Sequence, residues 1–209
     1  MARVIESINL IWRRPGCRRG RPTIIGRGLK VKRIVFDYQY SEKSASPEEI
    51  AERYKATPAQ VYAAIAYYHQ HKSEIDADIA EDLRFDERLK SEGPEAAVAS
   101  RVRIDEPEEA SIESLTLISR NTDQHHGSPC IDGTRLRVAD IVVEWRYGVN
   151  EPELIAEKYD LSLDQVFGAL AYYHERSTEI DSEIEYVSRF DERWKAERLV
   201  PEQITLLPG

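Results

Sequence analysis

No stretch of this sequence approaches the roughly 20 consecutive apolar residues that a membrane-crossing helix needs, and at 41% hydrophobic residues the chain reads as soluble and globular, with no membrane role. Its short apolar N-terminus runs straight into arginines without a small-residue cleavage pattern, so no secretory signal is expected and a cytoplasmic location follows. Cysteine is scarce. Cys17 and Cys130 do not occupy equivalent positions in the repeat described below, which argues against a disulfide framework or a shared thiolate metal site. There is no Cys-x-x-Cys, His-Glu-x-x-His, glycine-rich phosphate loop or nucleophile elbow, and Gly26-Arg27-Gly28 lacks the further glycine of a dinucleotide site. His125-His126 has no matching ligand in the first copy, while His69 and His174 are expected to pack or hydrogen-bond. These absences lead to the expectation of a protein that is not an enzyme and holds no cofactor and no metal.

What the chain does contain is itself, twice. Ile5-Glu6-Ser7 recurs as Ile112-Glu113-Ser114, Ile50-Ala51-Glu52-Arg53-Tyr54 as Ile155-Ala156-Glu157-Lys158-Tyr159, and Tyr67-Tyr68-His69 as Tyr172-Tyr173-His174. Arg84-Phe85-Asp86-Glu87-Arg88 returns as Arg189-Phe190-Asp191-Glu192-Arg193. The period is about 107 residues, shortening to about 105 past Tyr40, so the unit is a small domain and far too long for a solenoid repeat. The expected organisation is a first domain over 1–92, a linker over 93–110, a second domain over 111–198 and a tail over 199–209.

Each unit opens on an apolar, β-branched segment, Ile5 to Trp12 or Ile112 to Ile118, that suggests a short strand. Two short extended pieces follow, with Gly26 and Gly133 where a tight turn needs positive φ. A first helix is expected from about Val31 to Tyr40 and from about Val138 to Tyr147, the latter stopped by Gly148. Ser46-Pro47-Glu48-Glu49 and Asn150-Glu151-Pro152-Glu153 signal a short second helix. Thr57-Pro58-Ala59-Gln60 and Ser162-Leu163-Asp164-Gln165 are capping boxes for a third, and Ser73 and Thr178 are expected to cap a separate fourth. In the last helix Ile180, Ile184, Val187 and Trp194 form an apolar stripe. Short helix, tight turn and capped helix make a helix-turn-helix pattern. The fold class is therefore mainly α: two tandem helix-turn-helix domains, each with a small N-terminal β element.

Charge is unevenly spread. The formal net charge is -9, yet residues 1–33 hold ten Lys or Arg against Glu6 alone. Arg13, Arg14, Arg18, Arg19 and Arg21 either contact phosphate backbones or balance the acidic helices of the same molecule.

The string Gly127-Ser128-Pro129-Cys130-Ile131-Asp132-Gly133-Thr134-Arg135-Leu136-Arg137-Val138 resembles the opening signature of the bacterial DUF433 family. Glu153 to Tyr159 and Leu163 to Tyr173 resemble that family's two helices, and the resemblance covers about residues 112 to 185. The first copy departs from the pattern, with Gly26-Arg27-Gly28 in place of Gly-Thr-Arg. What the resemblance implies is a homeodomain-like helix-turn-helix domain and a role as an antitoxin or DNA-binding regulator, paired with a PIN-like ribonuclease toxin. It carries over no catalytic residue.

Three functional expectations result. In the first, the N-terminal end of the third helix of each copy enters the DNA major groove, with Thr57, Gln60 and Ala63, or Ser162, Asp164, Gln165 and Gly168, facing outward and the two copies acting as an intramolecular two-fold pair. Gln60 and Gln165 are the base readers, while Lys30, Lys32, Arg135 and Arg137 join the N-terminal arginines as phosphate contacts. In the second, acidic C-terminal helices mask a basic surface on a ribonuclease without DNA binding. In the third, the chain is a self-associating structural protein, a homo-oligomer in which one tyrosine of each Tyr67-Tyr68 and Tyr172-Tyr173 pair is exposed at an interface.

Overall fold

The computed structural model describes residues 3–15, 20–40, 45–99 and 109–198 and shows a mainly helical chain with one four-stranded sheet. The first copy runs β1 (Val4–Arg13), β2 (Thr23–Ile24), α1 (Val31–Gln39), α2 (Pro47–Tyr54), α3 (Pro58–Gln70) and α4 (Lys72–Ser91). After α5 (Pro94–Ala99), a helical turn in the expected linker, the order repeats as β3 (Ser111–Arg120), β4 (Pro129–Ile131), α6 (Val138–Tyr147), α7 (Pro152–Tyr159), α8 (Leu163–Glu175) and α9 (Ser177–Arg198). Residues 100–108, the tail over 199–209, Arg18, Arg19 and Cys17 lie outside the described residues, as does the side chain of Trp194.

Helix starts follow the local capping chemistry. Ser46 and Glu49 exchange side-chain and backbone hydrogen bonds at the head of α2, and Thr57 and Gln60 do the same for α3. Three expected caps sit elsewhere. At α7 the cap position is Glu151 and not Asn150, because Pro152 takes the first helical position and fixes the boundary one residue later. Ser73 and Thr178 fall inside the first turns of α4 and α9. The breaks come at His71 and Arg176, whose N–H groups still close the preceding helices onto Tyr67 and Tyr68, and onto Tyr172 and Tyr173. Between α2 and α3 the turn passes through Lys55 in the left-handed region, φ 52°, and Asp160 does the same between α7 and α8 at φ 53°.

The two copies meet in the sheet. Its order is β2-β1-β3-β4, so β1 pairs antiparallel with its own repeat equivalent β3. The register makes Ile5 face Ser119 and Trp12 face Ile112, two pairs that are images of each other under an approximate two-fold axis through the ribbon. Gly26 and Gly133 turn the hairpins beside β2 and β4 with φ of 77° and 79°, a conformation an L side chain adopts only at a cost.

Beneath the ribbon α3 and α8 cross antiparallel, with Tyr62 against His174 and His69 against Phe167. Ile8, Ile11, Leu115 and Ile118 of the strands and both central helices belong to one hydrophobic cluster, so the copies share a core. Val61 to Tyr68 and Val166 to Tyr173 are buried without interruption. Ala63 and Gly168 are therefore buried, not outward, and both members of each tyrosine pair are covered. A helix apolar on every side is an interior helix: the ribbon covers one side of α3, α8 a second, and α1 and α2 the rest. Gly168 lets α8 approach β3 closely, since a Cβ there would stand 2.6 Å from Leu117 Cδ1.

Candidate nucleic-acid interface

Most of the cations and amides singled out by the sequence are occupied inside the chain. Arg13 hydrogen-bonds Tyr67 Oη at 2.8 Å and Glu74 at 2.7 Å, and reaches across the ribbon to Glu113 at 3.4 Å. Its repeat equivalent Arg120 bonds Tyr172 at 2.7 Å and Glu179 at 2.6 Å and reaches Glu6 at 3.1 Å. Those two mirror-image sets pin the ends of the ribbon to both copies. Burial pushes the Tyr67 hydroxyl up to about 12, which keeps it a neutral hydrogen-bonding partner.

Arg21 and Lys32 are buried and share Asp78; Arg21 also pairs with Glu81, and Lys32 with Asp82 at 2.6 Å. Arg137 is tied to Asp140 and, at 3.4 Å, to Glu183. Arg13, Arg21 and Lys32 thus balance acids of α4, and Arg137 balances α6 and α9. Gln60 and Gln165 spend their side-chain oxygens on Thr57 and Ser162 in the capping boxes, and their amide nitrogens point to the carbonyls of Ile25 at 3.2 Å and Asp132 at 3.5 Å. Lys30 is half-buried, its pKa lowered by burial and by Lys32. Arg14, at 5.6 Å over the Trp12 ring, and Arg135 remain on the surface.

The surface left open by this arrangement is the outer face of the β1–β3 ribbon. Ser7, Asn9, Ser114 and Thr116 are exposed there, and Ser114 donates to Asn9 Oδ1 across the strands at 2.7 Å. No acid shares that face, because Glu6 and Glu113, the acidic residues of the two strands, turn to Arg120 and Arg13 on the helix side. Along the ribbon β2 pairs with Ile11 and Trp12, and β4 with Ile118 to Arg120, so the middle of the sheet is two strands wide. Exposed cations flank it: Arg3 and Arg135 beside β4, Arg14 and Arg27 beside β2. The sequence signal that was overlooked is the run of small polar residues alternating with inward apolar ones in β1 and β3, unusual in a chain this acidic.

A recess of about 360 Å³ opens beside β4, lined by Arg3, Ser119, Asn121, Gln124, Gly133, Thr134 and Arg135. His125 Nε2 lies 2.9 Å from the Arg135 carbonyl, and Thr134 bridges Ile131 and Leu136 within the hairpin. Near it Cys130 is buried, which raises the pKa of its thiol. Among the described residues no group of His, Cys, Asp and Glu is arranged to hold a metal ion, and no helix is long and apolar enough to cross a membrane.

The family described as a protein of unknown function, DUF433, matches residues 11–68 and again 118–173, together more than half of the chain. The chain belongs to the DUF433 family. Each DUF433 match begins inside a ribbon strand, at Ile11 or Ile118, and ends in a central crossing helix, at Tyr68 or Tyr173. The first copy is matched along with the second despite its Gly26-Arg27-Gly28. No curated protein and no solved structure matches the chain.

Proposed function

We propose that this DUF433 chain is a DNA-binding regulator of the antitoxin kind, two helix-turn-helix, homeodomain-like units in one chain, and that its reading element is the β1–β3 ribbon instead of either third helix. The observation that carries the proposal is the acid-free, exposed outer face of a two-fold ribbon in a chain of net charge -9. A two-stranded ribbon fits the B-DNA major groove, about 12 Å wide, and two-fold β-ribbon readers use strands in this way. Ten residues per strand span about 33 Å at about 3.3 Å per residue, close to one DNA turn. Asn9 is suited to adenine, and Ser7, Ser114 and Thr116 to several base edges. The burial of Val61 to Tyr68 in α3 and of Val166 to Tyr173 in α8 supports the same assignment, because over these stretches neither helix presents a face to a groove. No catalytic role is proposed.

The test is binding of the full chain to a duplex of its own promoter in a salt series, compared with Asn9→Glu/Thr116→Glu. Loss of binding by the variant at unchanged melting temperature is expected, with wild-type affinity falling steeply as salt rises. Equal binding by the variant, or no binding by the wild type at low salt, overturns the proposal.

A second reading, neutralisation of a PIN-like ribonuclease, is favoured by the exposed flank of α4 and α9. α4 exposes Asp82, Asp86 and Glu87, and α9 separately exposes Glu185 and, at 73%, Tyr186. Such a flank suits a basic partner surface, and an antitoxin can use it while its ribbon holds DNA.

A further inference from the structure

We infer that the recess beside β4 is a phosphate-binding site, present in the second copy and absent from the first. Its lining consists of hydrogen-bond donors and backbone. Ser119, only 9% exposed, forms the floor, and among the described residues its hydroxyl has no partner. The guanidinium of Arg135 is likewise without a partner there, while Asn121 uses its side-chain oxygen to accept from Asp123 N–H at 3.0 Å, which leaves its amide NH2 for a ligand. Gln124 adds a second amide. The nearby carboxylate of Asp132 is neutralised by Arg3. A recess that gathers the uncommitted Arg135 guanidinium, two carboxamides and a hydroxyl around about 360 Å³, with Arg3 held by Asp132, matches the acceptor-only oxygens of a phosphoryl group, which charge-assisted and forked donors recognise.

The repeat explains why the site is single. Where the second copy has Ser119, Asn121 and Arg135, the first has Trp12, Arg14 and Gly28. An indole replaces the floor hydroxyl, and the signature arginine is gone. The phosphate comes from one of two sources, a small phosphorylated molecule or the DNA backbone at the end of the ribbon; the second source rests on the DNA-binding proposal, the first does not.

The experiment is isothermal titration of the full chain with inorganic phosphate and pyrophosphate at ionic strength held by chloride, repeated on Arg135→Gln, Ser119→Ala and the mirror-site control Arg27→Gln. Saturable binding is expected in the wild type and in Arg27→Gln, weakened about tenfold or more in Arg135→Gln, the loss of one charge-assisted fork. No saturable binding, or binding indifferent to Arg135→Gln in a variant that melts like the wild type, overturns the inference and leaves the DNA proposal standing. A promoter-duplex arm assigns the source. Competition by phosphate, with a salt slope lower by about 1 in Arg135→Gln, identifies the backbone; phosphate binding that leaves duplex affinity unchanged identifies a small ligand.

Discussion

Tyr62 lies flat on His174, ring centroids 5.2 Å apart and planes 13° apart. Their repeat equivalents, Phe167 and His69, stack in the same way at 5.6 Å and 5°. Trp145 meets Tyr62 edge-on, as Tyr38 meets Phe167. Each copy therefore completes the aromatic core of the other, and neither contains a finished one.

Phe167→Ala should consequently unfold both halves together. Removing a fully buried phenyl ring costs about 3–5 kcal/mol, and because the cluster is continuous across the copies, the loss should appear as one transition shifted to lower urea. The check is urea denaturation followed by circular dichroism and tryptophan fluorescence. Two separated transitions, with the first copy keeping its midpoint, would show that the halves are energetically independent.

The same stacks make stability sensitive to mild acid. Burial lowers the pKa of His69, whose neighbours are Lys72, Asp164 and Glu153, and that of His174, which faces Glu48 and Arg146. On acidification the unfolded chain takes up these protons first, near the ordinary value of 6.5, while the folded chain resists. Stability is thus greatest above that value, falls as pH drops through it, and stops falling from this cause below the folded-state pKa values. Replacing both with phenylalanine keeps the stacking and should flatten the dependence just below pH 6.5. A double variant that loses stability over this range as steeply as the wild type would count against the histidines.

Gln60 and Gln165 separate a structural role from a reading one. Each closes a capping box and holds a hairpin carbonyl, so Gln60→Ala or Gln165→Ala should each cost about 0.5–2 kcal/mol. Duplex affinity of the folded variants should not change. Melting and fluorescence anisotropy on the same samples decide it: weakened binding at full stability would restore the third helix as the reader.

The helices were legible in this sequence because their signals are local. Serine or threonine three residues ahead of Glu49, Gln60 or Gln165, and glycine at the turns, fix boundaries over a few residues. The pairing of β1 with β3 was not legible, because it joins residues about a hundred apart and depends on two-fold symmetry that a linear repeat does not display. Reading α3 as amphipathic set Ala63 outward, although Ala59, Tyr62, Ala63 and Ala66 leave that helix with no polar flank along its middle. Sequence alone left Arg13 and Arg21 open between phosphate and the chain's own acidic helices and set Lys32 and Arg137 toward phosphate, because the acids they meet, Glu74, Asp78 and Glu183, lie more than forty residues away in sequence. What stayed readable at the candidate site was the signature arginine, Arg135, whose side chain the fold leaves uncommitted.

Gly168 and Ala63 occupy equivalent repeat positions in α8 and α3, and each is fitted to its own surroundings. Alanine is the better helix former by about 1 kcal/mol, so propensity alone would make Gly168→Ala stabilising. Packing opposes it: the new Cβ would stand 2.6 Å from Leu117 Cδ1 and 3.2 Å from its Cβ, and overpacking of this kind costs about 1–3 kcal/mol. Gly168→Ala should therefore destabilise, and Leu117→Ala in the same chain should cost less than it does alone, since it removes the clash it would otherwise not feel. In the first copy the methyl group of Ala63 is already accommodated at 0% exposure, and Ala63→Gly should lose about 1 kcal/mol through propensity with a further loss from the vacated volume. Opposite substitutions at one repeat position would then both destabilise, which a double-mutant cycle on Gly168 and Leu117 and a melting curve for Ala63→Gly can measure. A stabilised Gly168→Ala would mean that β3 and α8 can move apart, and that the close approach of ribbon and helix is not what holds the second copy under the sheet.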